Sequence, residues 1–129
     1  MTNKDDGFYG LMGPFLANRA VVKGLGYPIY DDNDKTWFIA IEGKSVVGFC
    51  YRQETKAGKY QIGSCYVLES HRGRGVFNQL LGAAVSSVAG TVSLTTNHPA
   101  VKTALVKRGF DEKTTRGSYT TYERRYGDE

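Results

Sequence analysis

The chain has 129 residues, which suits one domain over residues 1–129 with a real hydrophobic core and is short for two. Its net charge is +4, but the basic residues are spread along the chain, so charge alone supports a nucleic-acid partner only weakly. No window approaches the roughly 18 apolar residues of a membrane span, and the polar N-terminus lacks a secretion signal, so we expect a soluble, cytoplasmic protein without a membrane partner.

The N-terminal third carries helix and loop signals before any clear strand. Residues 8–22 are apolar at mixed spacing with glycines and a proline among them, which predicts one or two short helices, the second at 15–23. Residues 24–35 are predicted as a loop, because the Asp-Asp-Asn-Asp cluster at 31–34 favours local side-chain turns. Residues 1–7 are too few and too polar to predict a first strand.

Three strand patterns follow in succession. Residues 36–41 and 45–53 are rich in aromatic and β-branched side chains and are joined by a short Glu-Gly-Lys turn. A second glycine turn at 57–59 leads into a third strand at 60–68. Because these connections are short, the strands are predicted to form an antiparallel meander.

Helices and strands alternate in the rest of the chain. Apolar residues recur at spacings of three and four from 74 to about 90, which predicts an amphipathic helix. The further predicted elements are a strand at 91–95, a helix from Asn97 or His98 to Gly109, and strands at 110–113 and 118–126. This order predicts a mixed α/β sheet with a strand-to-helix turn near its middle.

That turn, Glu-Ser-His-Arg-Gly-Arg-Gly-Val-Phe at 69–77, packs two arginines and two glycines into four positions. A helix that starts after Arg74 offers unpaired backbone N–H groups and the positive end of its dipole, and both bind anions. Gly73 and Gly75 let a phosphate approach the main chain closely, and Arg72 and Arg74 add charge. The pattern predicts a pyrophosphate site, while a plain tight turn with solvated arginines is the alternative.

Two motifs carry a resemblance to a known family. Arg-Gly-Arg-Gly-Val-Phe at 72–77 follows the strand sequence Ser-Cys-Tyr-Val-Leu, and further on Ser-Leu-Thr-Thr-Asn at 93–97 precedes a helix that ends in Gly-Phe at 109–110. In this order they resemble the signature of the GCN5-related N-acetyltransferase (GNAT) superfamily. The resemblance implies an α/β fold whose mostly antiparallel central sheet is flanked by helices, here compact, with a short or missing first strand.

The resemblance also implies acetyl-coenzyme A, or a related acyl-coenzyme A, in a cleft where the third and fourth core strands separate. The backbone of Tyr66, Val67 and Leu68 would bind the pantetheine arm. The amides that would hold the pyrophosphate belong to Arg72, Gly73, Arg74, Gly75, Val76 and Phe77. Asn97 would bind the coenzyme or cap a helix.

In this superfamily a substrate amine attacks the thioester carbonyl directly, while a strand amide near a bulge polarises the carbonyl oxygen. Three positions depart from its pattern. Phe77 replaces the usual Gly or Ala, Leu105 replaces a tyrosine that protonates the leaving thiolate, and Gln61 replaces a glutamate base. The candidate catalytic residues that remain are Glu54 and Tyr119, for which turn and packing roles are the alternatives.

Four residues are considered as metal ligands or disulfide partners. Cys50 and Cys65 lie in apolar strand patterns without the close spacing of a metal site, so we expect buried free thiols. His71 and His98 are far apart in sequence and lack a third ligand. No metal site is therefore predicted.

The sequence predicts an N-acetyltransferase that uses acetyl-coenzyme A, acts on an amine of a small molecule, a protein or a nucleic acid, and is a monomer or homodimer. Tyr122 and Tyr126 would be candidates for a subunit contact. A non-catalytic coenzyme-binding or protein-interaction module is an alternative that Gln61 and Leu105 favour. A nucleic-acid-binding domain is another, and it would gather on one surface Arg72, Arg74, Arg116, Arg124 and Arg125.

Overall fold

The computed structural model describes Thr2 and residues 7–16, 35–86 and 88–126. Its first elements are the helix α1 (Phe8–Met12) and a 3₁₀ turn at Gly13–Phe15. All but the outermost residues of the predicted second helix (15–23) and of the predicted loop (24–35) lie outside the described part, as do most of residues 1–7. The acidic cluster of that loop is likewise outside it.

The described residues contain six strands: β1 (Lys35–Glu42), β2 (Ser45–Lys56), β3 (Lys59–Val67), β4 (Gly90–Thr96), β5 (Asp111–Arg116) and β6 (Tyr119–Tyr126). They form one sheet in the order β1-β2-β3-β4-β6-β5. All neighbours in this order are antiparallel except β3 and β4, which are parallel. The predicted mixed, mostly antiparallel sheet is confirmed.

Two helices flank the centre of the sheet: α2 (Val76–Val85) connects β3 to β4, and α3 (Pro99–Lys107) connects β4 to β5. Helix α2 ends earlier than predicted, because Ser86 takes an extended conformation and the chain then buries Val88 in the core before β4 begins. None of the helices in the described ranges is long and apolar enough to cross a membrane.

The sheet is covered on both faces. Helices α2 and α3 cover one face, over a cluster formed by Cys50, Ile62, Leu80, Leu81, Ala84, Val85, Val88, Val92, Leu94, Leu105, Phe110 and Tyr122. Helix α1 covers the other, over Phe8, Met12, Trp37, Val46, Phe49 and Tyr51. Phe49, Cys50 and Tyr51 of β2 alternate between the clusters, as in a strand buried on both faces. Tyr122 is only 4% exposed, so it is not available for the subunit contact that the sequence suggested.

Strands β3 and β4 pair at one end only. Residues 59–62 lie beside residues 91–94, and the Thr91 N–H donates to the Gly58 carbonyl (2.9 Å) at the start of the pair. Beyond this stretch the two strands have no paired residues, although β3 continues to Val67 and β4 to Thr96. The strands therefore separate near the middle of the sheet, as the resemblance implied.

Candidate functional site

A β-bulge bends β3 where it leaves β4. The register against β2 gains one residue there, so that Cys50 faces both Ser64 and Cys65. Such an extra residue bends its strand and interrupts pairing. Ser64 is buried and takes a left-handed conformation (φ 50°), which a residue other than glycine keeps only where its surroundings hold it. The packing of the core around Ser64 therefore holds this bend of β3 in place.

Beyond the bulge, backbone groups of β3 face the gap instead of a strand. The Leu68 N–H donates to the Val47 carbonyl of β2 (2.8 Å). Since bonded positions alternate along an antiparallel ladder, the N–H and C=O of Val67 point the other way, into the gap. The Val67 carbonyl accepts a hydrogen bond from Arg72 Nε (2.9 Å), which leaves the Val67 N–H as a donor facing the gap.

The loop after β3 leads into the start of α2, where several backbone N–H groups have no partner within the helix. It begins with a 3₁₀ turn (Glu69–His71) and continues through Gly73 and Gly75, whose φ values of 78° and 82° favour glycine. The first backbone bond of the helix joins the Gln79 N–H to the Gly75 carbonyl (3.1 Å), so the N–H groups of residues 75–78 have no partner within the helix. Together with the helix dipole, they form a candidate anion-binding site.

A cleft of about 310 Å³ connects this anion-binding site to the strand gap. Its wall comes from the end of β3 and the following loop, from the first turn of α2, and from one side of α3. The residues in the wall are Cys65, Tyr66, Val67, His71, Arg72, Gly73, Gly75, Val76, Phe77, Asn78, His98, Ala100, Val101 and Ala104. The cleft is therefore largely apolar, with backbone donors at both ends.

Seven of the ten predicted coenzyme contacts lie in the wall: Tyr66, Val67, Arg72, Gly73, Gly75, Val76 and Phe77. The Arg72 guanidinium is turned toward β3, where it bonds Val67 and lies 5.6 Å from the centre of the Tyr66 ring. The Phe77 side chain packs against the core cluster while its backbone stays at the helix start. These positions are those that the sequence placed along the coenzyme.

The other three predicted contacts lie outside the wall. Leu68 has both backbone groups in use, since its carbonyl also accepts a bond from the His71 N–H (2.8 Å). Arg74 is exposed on the loop. Asn97 is exposed before α3 and caps nothing; His98 is the N-cap residue, and its N–H donates to Thr96 Oγ1 (3.1 Å).

The two candidate catalytic residues also lie outside the wall. Glu54 is opposite Tyr60 in the β2–β3 pair, and its carboxylate accepts a hydrogen bond from the Tyr60 hydroxyl, which raises the pKa of Tyr60. Tyr60 precedes Cys65 by five residues on β3, roughly 16 Å along a strand. Tyr119 is 40% exposed and opposite Arg116 at the turn between β5 and β6. The structure brings neither residue to the cleft.

The structure shows where Leu105 and Gln61, two of the positions that depart from the superfamily's pattern, lie relative to the cleft. Leu105 is fully buried in the core, whereas its neighbour Ala104 faces the cleft. Neither side chain can supply a proton. Gln61 is exposed on β3, beside Ser93 of β4. Among the described residues, the cleft wall therefore carries no carboxylate and no tyrosine on α3.

Sequence reasoning did not find that Cys65, His71 and His98 share the cleft. The His71 ring is held on both sides, by Glu42 Oε2 at Nε2 (3.1 Å) and by Ser70 Oγ at Nδ1 (2.8 Å). His98 stands across the cleft at the start of α3. Within the described ranges, no three His, Cys, Asp or Glu side chains come together as metal ligands. Because these residues lie on different elements, no spacing in the sequence signals their proximity.

The arginines that a nucleic-acid-binding domain would gather are dispersed. Arg124 donates to the Arg108 carbonyl and lies over the Tyr126 ring (4.6 Å). Arg125 is its neighbour on a strand, where successive side chains point to opposite faces. Arg116 is at the other end of the β5–β6 hairpin. The predicted basic surface is not formed by these residues.

Comparison with known proteins gives a family and a fold. A sequence profile of the acetyltransferase (GNAT) family matches residues 14–110. No curated protein sequence matches significantly. A candidate acyl-CoA N-acyltransferase from Klebsiella pneumoniae is similar in structure, with a TM-score of 0.66, 16% identity, and coverage of 97% of this chain and 93% of that one.

Two further similar structures contain the coenzyme. PaiA N-acetyltransferase from Thermoplasma acidophilum, in complex with coenzyme A, has a TM-score of 0.63 and 19% identity over 72% of this chain and 62% of its own. A candidate streptothricin acetyltransferase from Bacillus anthracis, in complex with acetyl coenzyme A, has a TM-score of 0.62 and 16% identity over 74% and 65%. At these identities the likeness shows a shared fold.

Proposed function

Because this chain belongs to the GNAT acetyltransferase family, we propose that it transfers the acetyl group of acetyl-coenzyme A directly to an amine. One observation carries the proposal: a single cleft joins the anion-binding start of α2 to the open edge of β3 at the bulge. A molecule with phosphates at one end and a thioester at the other matches this arrangement. The acceptor is an amine of a small molecule, a protein or a nucleic acid.

The residues present fit such a donor. An added Cβ at Gly73 or Gly75 would meet no atom within 4 Å, so the space beside the loop amides is open to phosphate oxygens. The apolar wall from Val76 to Val101 suits the pantetheine arm. The N–H and C=O of Val67 would pair with the amides of that arm as a neighbouring strand would.

The chain's own part in the reaction follows from these groups. Acetyl-coenzyme A, when bound, supplies a thioester whose C–S bond breaks as the new C–N bond forms. An amide of β3 at the bulge would donate to the carbonyl oxygen as negative charge develops there, an effect worth about 3 kcal/mol in other enzymes. With no carboxylate in the described part of the wall, water or the His98 imidazole would take the proton of the amine.

Calorimetric titration with acetyl-coenzyme A tests the donor site. The variant is Gly75→Glu, which places bulk and negative charge in the phosphate site. The control is Gly58→Glu, because Gly58 also has a positive φ (74° against 82°) and open space around it, but lies in the turn at the opposite end of β3. We expect micromolar binding by the wild type and the control, and binding at least about tenfold weaker, or 1.4 kcal/mol, by Gly75→Glu.

A failure of the folded wild type to bind would overturn the proposal. If binding is present, release of the coenzyme thiol is then measured with a panel of amines and a matched panel of alcohols. Release with amines alone supports N-acetylation, and release with alcohols alone makes the enzyme an O-acetyltransferase. Binding without release from any acceptor supports the non-catalytic module, which the apolar Leu105 and the uncharged Gln61 favour.

A further inference from the structure

Two thiols meet at the bulge of β3. Cys50 of β2 faces Ser64 and Cys65, and Cys65 packs against the core cluster to which Cys50 belongs. A hydrogen bond to Cys65, together with burial, raises the pKa of the Cys50 thiol. Both cysteines are free thiols, as the sequence predicted. The pair is therefore in contact on the face of the sheet that α2 covers.

The two thiols differ in their access to small molecules. Cys65 is half-buried and forms part of the cleft wall. Cys50 is 1% exposed and lies in the core behind it. A reagent in the cleft can therefore reach Cys65, whereas Cys50 can react only with a sulfur atom that Cys65 carries.

The position of Cys65 along the cleft matters for what it would meet. This step rests on the proposed function: with phosphates at the start of α2, the sulfur end of a coenzyme A molecule lies at the other end of the cleft, beside the bulge. A protein thiol there is close to the coenzyme sulfur, and proximity favours thiol–disulfide exchange. Among the described residues of the cleft wall, Cys65 carries the one thiol, so its side chain is the one that can form a covalent bond in that exchange.

We propose that Cys65 is a site of covalent modification by coenzyme A disulfides and that Cys50 is the resolving thiol. First, the Cys65 thiolate attacks one sulfur of the disulfide, which forms a mixed disulfide on Cys65 and releases one coenzyme thiolate. Second, the Cys50 thiol loses its proton and its sulfur attacks the Cys65 sulfur, which forms a Cys50–Cys65 disulfide and releases the other coenzyme thiolate. The protein thiols are oxidised by two electrons and give up two protons, and the coenzyme disulfide is reduced to two thiols.

This modification has a direct consequence for transfer. The mixed disulfide fills the cleft with a covalently held coenzyme, so acetyl-coenzyme A cannot enter. The second step frees the cleft of coenzyme but draws the Cys65 sulfur toward Cys50 at the bulge. A thiol reductant reverses both products, and acetyl transfer then returns.

The test follows intact mass under non-reducing conditions, with the full 129-residue chain in coenzyme A disulfide or in oxidised glutathione. A reagent that the cleft holds reaches a millimolar effective concentration, so at about 0.1 mM of each reagent we expect modification of Cys65 about tenfold faster with coenzyme A disulfide. We expect Cys50→Ala to stop at the mixed disulfide and Cys65→Ala to form no adduct. Peptide mapping of the wild type identifies the Cys50–Cys65 disulfide even if a variant fails to fold.

Four results would overturn the proposal, the last of them together with the proposed function. Equal rates with the two disulfides would show that the cleft does not direct the reaction. A wild type that keeps its mixed disulfide and never forms the Cys50–Cys65 bond would remove the resolving role. An absence of any adduct, in protein that binds acetyl-coenzyme A by calorimetry, would reject the thiol site and leave the proposed function standing. An absence of acetyl-coenzyme A binding instead rejects the proposed function, and with it the directed modification.

Discussion

Backbone groups of a few residues form both ends of the cleft. Val67 presents its N–H and C=O to the gap because Leu68 bonds β2, and Gly73 and Gly75 present the loop in conformations that other residues take only with strain. Side-chain chemistry is sparse by comparison. Glu54, the candidate base of the sequence, is bonded to Tyr60 at a distance from the cleft.

The variant Glu54→Gln tests whether Glu54 is a catalytic base or only the hydrogen-bond partner of Tyr60. The glutamine carbonyl can still accept a hydrogen bond from the Tyr60 hydroxyl, but the negative charge that helps to raise the pKa of Tyr60 is gone, so Tyr60 should ionise at a lower pH, nearer its ordinary value of 10.0. Tyrosinate absorbance measures this shift, and subtraction of the titration of Tyr60→Phe isolates the one phenol. We expect kcat to change by less than about twofold.

The opposite kinetic result would assign the base. General base catalysis contributes about 100-fold or more to a rate. A loss of that size in Glu54→Gln, with unchanged acetyl-coenzyme A binding and with full activity in Tyr60→Phe, would place Glu54 in the proton path. It would also show that the acceptor amine lies close to the β2–β3 pair when it gives up its proton.

At the scale of elements, the site depends on β3 and β4 being joined at one end and apart at the other. The bulge separates them beyond residue 62, and the Thr91–Gly58 bond holds them together at the start. Gly90 is required for that approach, since a Cβ on it would lie 2.2 Å from the Gly58 carbonyl oxygen. The opening of the cleft thus rests on a tight contact at the far end of the same strands.

We expect Gly90→Ala to lower the free energy of unfolding by about 3 kcal/mol, the upper range for overpacking, because a backbone carbonyl cannot turn aside. The matched control, Gly58→Ala, changes the other side of the same contact. A Cβ there meets no atom within 4 Å, and only its positive φ of 74° is unfavourable, at about 1 kcal/mol. Urea denaturation measures both; equal losses would show that the start of β4 can move to accept a methyl group.

At the scale of the whole molecule, one sheet separates two apolar clusters. Trp37, the one tryptophan of the sequence, lies in the cluster under α1, and Leu105 lies in the cluster under α2 and α3. Strand β2 contributes alternate residues to both clusters, so neither can lose its packing without disturbing the other. From this coupling of the described residues we propose that the chain folds as a single domain.

A single domain should unfold in one transition. We expect the fluorescence of Trp37 and far-ultraviolet circular dichroism to give the same midpoint in urea. Acetyl-coenzyme A at about 100 times its Kd should raise the free energy of unfolding by about 2.7 kcal/mol as both probes report it. Separate midpoints, or a ligand effect on only one probe, would divide the chain into two units.

The local pattern of the sequence was sufficient for most of the described elements and for the glycine-containing loop before α2. Strands predicted at 36–41 and 45–53 lie within β1 and β2, because aromatic and β-branched content and short glycine turns are properties of neighbouring residues. The loop was readable for the same reason: glycines, arginines and a following helix start occur in one continuous segment. The early end of α2 could not be read from the local sequence, because the position of β4 decided it.

The sequence by itself determined the family resemblance, the order of elements and the loop at which an anion site is predicted. Only the tertiary structure decided which residues face the cleft. The resemblance gave Leu105 as the position of the tyrosine that protonates the leaving thiolate. In the structure Leu105 points into the core and Ala104 faces the cleft, because the side chains of successive helical residues are rotated by about 100°. The contact of Cys65 with Cys50, and the position of His98 in the same cleft, likewise depend on packing between distant segments, which no local pattern encodes.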